Sequence, residues 1–532
     1  MNLKKKLKKL LNYSSNEYET FLKKEINPYA VLLEAGQGKN INGNMFYILK
    51  ELEQNESWKK FTPYYVVTSE NKQSAQDRFA FYGFRKVKCV IIDSKEYKVI
   101  LATAKYLFTD NSFPAYFRKR KEQIYVNTWH GTPIKYLGKS DICNSSSLGN
   151  VQKNYFMSDY ALFPNAYTRD IFFDDYMLQD YFSGKIVLAD YPRNEILYDV
   201  KSAMEMKKKL GYEAKEVFAY MPTWRGGGRD ADAAEQTEKI SDYLKEIDGK
   251  LSDHQVLMVN LHFLVDNNID YSQFLRVVPF PKEYETYEVL GASDVLITDY
   301  SSVFFDYAGS GKRIVLFAYD LEEYIRSRGM YFDIRTLPFP LAETVEDLMV
   351  SLNTNETRDY SAFCKKFCDC ITKDISNKLL QMLVSGDETI LCVREAQKRE
   401  GKKMVYNIGN IADKSNQALI LEKLGSIDYK NNHVTVVFQN RINEKTGAFL
   451  KTLPPEISYV RIMPTRLMRI TDQILLKVCR YTGWFKSKVQ TIYAYEVERL
   501  MYRWEYDSLE NLCGQNQLTP IIEFITNYDR CK

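Results

Sequence analysis

The chain has 532 residues, enough for about three or four domains, and 45% are hydrophobic, which excludes a globally disordered protein. A formal net charge of +4 is too small for a dedicated nucleic-acid binder, so nucleic acid is not an expected partner. Nine cysteines occur without paired spacing; Cys364, Cys368 and Cys370 cluster, but no C-x-x-C pair or partnering histidine accompanies them, so packing in a reducing cytoplasm is expected rather than a zinc site. No apolar run approaches the roughly 20 residues of a membrane span, and no secretory signal opens the chain. The expected location is cytoplasmic, with attachment to the inner face of the cell membrane as the alternative to free solution.

Residues 1–28 read as a basic amphipathic helical segment. Leu3, Leu7, Leu10 and Leu11 share one face, and Lys4, Lys5, Lys6, Lys8 and Lys9 occupy the rest. Such a helix suits an anionic membrane surface, and equally a leucine stripe packed on the next domain. From residue 29 strand, loop and helix alternate. Strands are predicted at Val31–Glu34, Tyr64–Ser69, Lys88–Asp93, Tyr106–Thr109, Ile124–Asn127 and Tyr160–Pro164. The alternation implies a parallel sheet covered on both faces, the first Rossmann-like domain, over 29–184. The glycine-rich turn from Gly36 to Asn44 is predicted to hold an anion at a helix amino terminus, although it fits neither dinucleotide nor P-loop spacing. The run Arg118-Lys119-Arg120-Lys121 reads as a solvated face or a lure for a polyanionic acceptor or lipid phosphates.

The stretch W-H-G-T-P-I-K then places His130 just past the carboxyl end of the 124–127 strand. Ligands bind in the crevice outside such strand ends. Imidazole exchanges protons near neutral pH, Gly131 permits close approach, and Lys135 supplies positive charge. A lone histidine here would more simply be a satisfied core residue; the remaining pattern reverses that preference.

A second series is predicted over 185–390, with strands at Ile186–Leu188, Val217–Tyr220, Val256–Asn260, Arg276–Phe280, Val295–Thr298 and Arg313–Phe317. Polar residues recur just after these strands: Arg193 in Y-P-R-N, Thr223, Trp224 and Arg225 in M-P-T-W-R, His262 in N-L-H-F, and Ser301 and Ser302 in D-Y-S-S. Arginine forks suit phosphate oxygens or a structural ion pair, and the two serines at a helix start make an anion seat or a plain cap. Two such halves facing each other describe the α/β GT-B fold.

These segments, in this order and together with I-T-D-Y-S-S-V-F-F-D, Y-D-L-E-E-Y and R-G-M-Y-F-D, resemble the motifs of the CDP-glycerol glycerophosphotransferase family, the teichoic acid polymerases and primases. The likeness spans roughly 29–385. It implies two essential histidines, assigned here as His130, the general base towards the acceptor hydroxyl, and His262, which stabilises phosphate charge or protonates the leaving CMP. It implies CDP-glycerol as donor substrate, held by Gly131, Thr132, Pro133, Lys135, Arg193, Thr223, Trp224, Arg225, Ser301, Ser302 and Asp306. A lipid-linked or capsular glycan is the implied acceptor. No obligatory cofactor is implied and no metal site, a divalent ion on the diphosphate being compatible but not required. Asp190 departs from the family's glycine, Ile314 from its proline, and Gly226–Gly228 is a looser loop. These leave the donor alcohol open, so CDP-ribitol or a nucleotide sugar remains an alternative, and a non-catalytic scaffold of an envelope-polymer assembly is the alternative from another class.

Past the likeness, 391–403 reads as a charged linker. A module over 404–532 follows, with strands at Met404–Asn407, Val434–Phe438 and Ile521–Phe524 and a helix over Gln417–Leu424. It resembles half a glycosyltransferase, and docking, acceptor binding or a purely structural role all fit it.

Overall fold

The computed structural model describes residues 17–461 except 19, 143, 226–229, 355–357, 398, 410 and 439. Residues 1–16 of the helical segment predicted over 1–28, the Gly226–Gly228 loop and the strand at Ile521–Phe524 lie outside the described residues.

Three sheets organise the described residues. The first contains β1 (Asn27–Glu34), β2 (Thr62–Val67), β3 (Lys88–Ile91), β4 (Ala104–Thr109), β5 (Ile124–Asn127), β6 (Tyr160–Phe163) and β7 (Lys185–Leu188). The second contains β8 (Glu216–Met221), β9 (Gln255–Val259), β10 (Val277–Pro279), β11 (Val295–Thr298), β12 (Arg313–Phe317) and β13 (Leu341–Ala342). β14 (Cys392–Glu395) returns to the first sheet, and β15 (Lys402–Gly409), β16 (Asn432–Phe438) and β17 (Ser458–Arg461) form the third. The orders are β14-β7-β6-β5-β4-β1-β2-β3, β10-β9-β8-β11-β12-β13 and β15-β16-β17. Every strand pairing among the described residues is parallel except β14 on β7.

Burial on both sheet faces explains the near-continuous apolar strands. In β1, Val31 and Leu33 enter one cluster while Ala30 and Leu32 enter another, as a two-residue period requires. In the second sheet Val217, Ala219 and Leu296 point to one cluster, and Phe218, Tyr220, Val295 and Ile297 to the other. The Val31 cluster also contains Val217, Leu296, Tyr287 and Phe304. One apolar core therefore runs from the first lobe into the second.

Two expected boundaries shift. β7 pairs with β6, Tyr160 opposite Lys185, so the first lobe extends through Leu188 instead of ending at residue 184. The change of periodicity after β6 resembles a fresh start, but register places β7 at the edge of the existing sheet. Residues 392–395 of the expected 391–403 linker form an antiparallel edge strand there, Val393 opposite Val187. Helix Ile375–Ser385 crosses back from the second lobe to pack on helix Asn44–Gln54, so the first lobe is finished by chain that follows the second.

The third sheet is fused to the first lobe through a shared core. Leu148, Val151, Tyr155 and Phe172 lie in one apolar cluster with Ile408, Val436, Phe449 and Val460. Gln152 donates to the Tyr459 carbonyl (2.9 Å), and Lys139 donates to the Pro455 carbonyl (2.7 Å). Within the basic run, Lys119 pairs with Asp159 (2.9 Å) and Arg120 donates to the Lys24 carbonyl (2.5 Å). At least those two charges serve the fold.

Candidate active site

The site is built where the carboxyl ends of the two large sheets meet. β5 ends at Asn127, and the chain turns sharply: Trp129 takes a left-handed backbone with φ +52°. That conformation costs a non-glycine residue about 1–2 kcal/mol and needs local support. Asn127 Oδ1 accepts from the Trp129 amide (3.0 Å), and the buried Asn44 side chain donates to the Trp129 carbonyl (3.0 Å) and the Thr128 hydroxyl (3.2 Å). The indole lies edge-on to Phe172 (4.8 Å between centroids) and stacks on His130 (4.1 Å). The turn thus projects an exposed imidazole from a buried loop.

His130 Nδ1 is 2.6 Å from the Asp110 carbonyl. A carbonyl only accepts, so Nδ1 carries the proton and Nε2 presents its lone pair away from this contact. Asp110 follows β4, and its carboxylate accepts from the Gly36 amide (2.8 Å). Burial pushes the Asp110 carboxyl above its usual range, opposed by His130, the Gly36 amide and Arg193. The glycine-rich turn does attract anions, but they belong to the chain: the Gly36 amide serves Asp110, and the Gly43 amide serves Glu285 of the second lobe (3.0 Å). The predicted external anion is replaced there by two internal carboxylates.

At Gly131 the first lobe packs tightly against Ser302 of the second. A Cβ on Gly131 would lie 2.4 Å from Ser302 Oγ and 3.0 Å from Ser302 Cβ. Only hydrogen fits. Ser302 caps the short helix Val303–Ala308 without a side-chain bond, and Ser301 Oγ sits 3.5 Å from the Val303 amide. Behind this contact, Arg193 and Asp306 form a buried ion pair (2.7 Å), and the same Arg193 nitrogen donates to the His130 carbonyl (2.9 Å). Asp306 also accepts from Tyr287 (2.6 Å) and Asn194 (3.3 Å), and the guanidinium lies over Tyr191 and Tyr287 at 4.9 and 5.0 Å. These two residues were expected to touch the donor. Their charged atoms instead face each other, with Asp306 only 3% exposed, so both position the His130 loop.

Thr132 and Pro133 are buried as well. The Thr132 hydroxyl accepts from Asn165 (3.1 Å) and Thr168 (3.3 Å), and the Pro133 carbonyl accepts from Tyr167 (3.2 Å). They brace the loop from within. Lys135 bridges to Met330 through the backbone, and its ammonium lies 5.4 Å from the Tyr324 ring centre. The R-G-M-Y segment therefore closes the lobe junction: the Tyr331 amide donates to the Ile134 carbonyl (2.9 Å), and the Leu137 amide donates to the Tyr331 hydroxyl (2.8 Å).

The second lobe contributes its own cluster. Asp299, after β11, accepts from the Thr223 amide (2.9 Å) and from Arg225 (2.6 Å). Asp320, after β12, takes Arg225 in a two-pronged grip at 2.7 and 3.0 Å. Arg225, expected to bind phosphate, thus spends its fork on two carboxylates, with Tyr300 4.9 Å and Tyr324 5.4 Å from its centre. Against burial, that grip holds the Asp320 carboxyl below its usual range. The Thr223 hydroxyl is buried with no partner among the described residues. His262, three residues past β9, stacks on Trp224 at 4.6 Å, and burial lowers its pKa from the ordinary imidazole value. The shared Tyr324 ring links Lys135 of the first lobe to Arg225 of the second.

Asp190, two residues past β7, has a defined place. It accepts from Tyr198 (2.6 Å), Asn194 (2.6 Å) and the Tyr191 amide (2.8 Å), and burial pushes its carboxyl up to about 7. A folded-state pKa above the unfolded value means a contribution to stability that is full at acid pH and lost as pH rises through about 7. The melting temperature of wild type minus that of Asp190→Asn is accordingly expected to fall between pH 4 and pH 8, measured by thermal unfolding at both ends of that range. A difference independent of pH contradicts the assignment.

Sequence reasoning missed Asn44, Asp110, Asp299 and Asp320 as site builders. Asp110 and Asp299 directly follow strands and Asp320 comes three residues after one, the signal used for the other candidates. Among the described residues no group of three or more His, Cys, Asp or Glu is placed to hold a metal ion.

Comparison with known proteins gives these positions a family context. The model of CDP-Glycerol:Poly(glycerophosphate) glycerophosphotransferase matches residues 17–385. The teichoic acid poly(glycerol phosphate) polymerase of Bacillus spizizenii is 29% identical over 377 residues, covering 67% of this chain and 92% of that one. The teichoic acid glycerol-phosphate transferase of Staphylococcus aureus is 28% identical over 410 residues, covering 72% and 99%. The Bacillus subtilis teichoic acid poly(glycerol phosphate) polymerase is 28% identical over 381 residues, 67% of this chain but only 49% of that protein. The solved structure of the wall teichoic acid polymerase TagF superposes with a TM-score of 0.60 at 23% identity, covering 72% of this chain and 96% of that one, which shows the two-lobed GT-B fold.

Proposed function

Because the chain belongs to the CDP-glycerol:poly(glycerophosphate) glycerophosphotransferase family, we propose that it moves phosphoglycerol from CDP-glycerol to a hydroxyl of a teichoic-acid-like acceptor, a lipid-linked or capsular glycan, releasing CMP. The reaction runs at the inner face of the cell membrane. No helix among the described residues is long and apolar enough to cross a membrane. The observation that carries the reading is the 2.6 Å contact of His130 Nδ1 with the Asp110 carbonyl, which assigns the proton to Nδ1 and leaves Nε2 of this exposed residue as the basic nitrogen.

The acceptor oxygen attacks the glycerol-bearing phosphorus as its proton passes to His130 Nε2. The bond from that phosphorus to the oxygen bridging the two phosphates breaks, and CMP leaves with the electron pair. His262, held flat on Trp224, meets the charge that develops on CMP, and the Thr223 hydroxyl, without a partner among the described residues, donates to the donor. Release of CMP from CDP-glycerol, but not from CDP-ribitol or a nucleotide sugar, in the presence of an acceptor extract tests the reading; binding of CDP-glycerol without CMP release across a broad acceptor panel rejects it for a scaffold.

The pH profile carries a second test. Burial keeps His262 neutral to lower pH than a free imidazole in the unliganded protein, and a bound diphosphate favours its imidazolium. The basic limb of kcat, which reports the donor complex, is expected at higher pH than that of kcat/KM, and the separation disappears in His262→Gln. Coincident limbs in the wild type count against a proton on His262.

A further inference from the structure

Glu285 is a buried acid with no cation beside it. Its side chain is 0% exposed and forms no ion pair with a lysine, arginine or histidine among the described residues. Burying a carboxyl group without a cation is costly, and an apolar side chain would fill the same space at a lower cost. The reason for an acid here lies in what it holds. Glu285 caps the second-lobe helix Thr286–Gly291 and reaches across the junction into the first lobe. One oxygen accepts from the Gly43 amide (3.0 Å), and the other from the Tyr47 hydroxyl (2.9 Å) and the Tyr287 amide (2.6 Å).

Both arms of this grip end at the His130 loop. Gly43 precedes Asn44, the first residue of helix Asn44–Gln54, and the Asn44 side chain donates to the Trp129 carbonyl at 3.0 Å. Tyr287, fixed by the capped turn, donates to Asp306 at 2.6 Å, and the partner of Asp306, Arg193, donates to the His130 carbonyl at 2.9 Å. A single second-lobe carboxylate thus sits behind the donors to two consecutive carbonyls of the loop. Glu288 of the same helix provides the contrast. It crosses the same junction to Lys50 (2.6 Å) and Tyr82 (2.5 Å), but neither of these bonds to the His130 loop among the described residues.

We propose that Glu285 is a positioning residue for the transfer reaction, setting the loop that carries His130 through Gly43 and Asn44 on one side and through Tyr287, Asp306 and Arg193 on the other. The inference rests on the reading of His130 as the base, and its test separates the two.

Glu285→Gln keeps the size of the side chain but turns an NH2 towards one of two backbone amides that can only donate, so one arm opens. Misplacement of a reacting group by about 1 Å costs up to about 10²-fold, so kcat for CMP release is expected to fall about 10–100-fold with KM for CDP-glycerol unchanged. Tyr287→Phe removes only the hydroxyl that reaches Asp306; it should lower kcat in the same way, and it carries the test if Glu285→Gln does not fold. Glu288→Gln loses an ion pair at the same junction and should lower the unfolding midpoint while kcat stays at the wild-type value. Added to His130→Ala, Glu285→Gln should cost no further turnover, since groups that act through one another are not additive. Wild-type kcat in both Glu285→Gln and Tyr287→Phe, an equal loss in Glu288→Gln, or an undiminished loss in the His130→Ala background overturns the proposal. Full turnover in His130→Ala alone rejects the base and leaves the loop to be judged without activity, by hydrogen exchange. Exchange of the amides over residues 128–132 is expected to quicken in Glu285→Gln and not in Glu288→Gln, and equal protection in both variants and the wild type overturns the positioning role.

Discussion

His130→Ala is expected to reduce kcat for CMP release by about 10²–10⁴-fold, the usual contribution of a positioned general base. The loss should appear in kcat with little change in the donor KM, since the side chain's one recorded hydrogen bond goes to the Asp110 carbonyl and not to a donor-binding element. Stability should barely move, because the imidazole is exposed and its removal opens no cavity. His130→Asn sharpens the test. Its amide NH2 can still donate to the Asp110 carbonyl and keep the loop in place, yet no basic lone pair of comparable strength remains, so turnover should stay as low as in the alanine variant. An alanine variant within tenfold of wild type places the base elsewhere.

The elements that positioned His130 were readable because strands buried on both faces are short, apolar and bounded by polar turns. β5, β11 and β12 fall at the predicted residues, and His130 and His262 both lie just past strand ends as the pattern implied. What escaped is pairing across the sequence. Arg193 and Asp306 are 113 positions apart, and Arg225 and Asp320 are 95 apart. An arginine after a strand looks the same in sequence whether its fork meets a phosphate or a carboxylate; only the fold supplies the partner. Asp110 and Asp299 directly follow strands, but the groups they bond, Gly36, Thr223 and Arg225, lie 74 to 76 positions away, so their role was not legible. β7 was assigned to the wrong lobe for a related reason: periodicity identifies a strand, and register alone says which edge it joins.

The Arg193–Asp306 pair offers the second large effect. Asp306→Ala leaves a guanidinium buried without its carboxylate, which costs about 3–5 kcal/mol of folding stability, and frees the nitrogen that holds the His130 carbonyl at 2.9 Å. Both unfolding midpoint and kcat should fall. Stability alone does not reveal why the pair is there, since replacing a buried ion pair by apolar groups of similar volume is often neutral or stabilising. Arg193→Met with Asp306→Leu is therefore expected to regain most of the unfolding midpoint in urea. It should not regain turnover, because no donor then reaches the His130 carbonyl and the strained Trp129 turn loses a fixed neighbour. If the double variant turns over at the wild-type rate, the pair serves folding only; if it is stable but slow, the ion pair serves to aim the imidazole at the junction of the lobes.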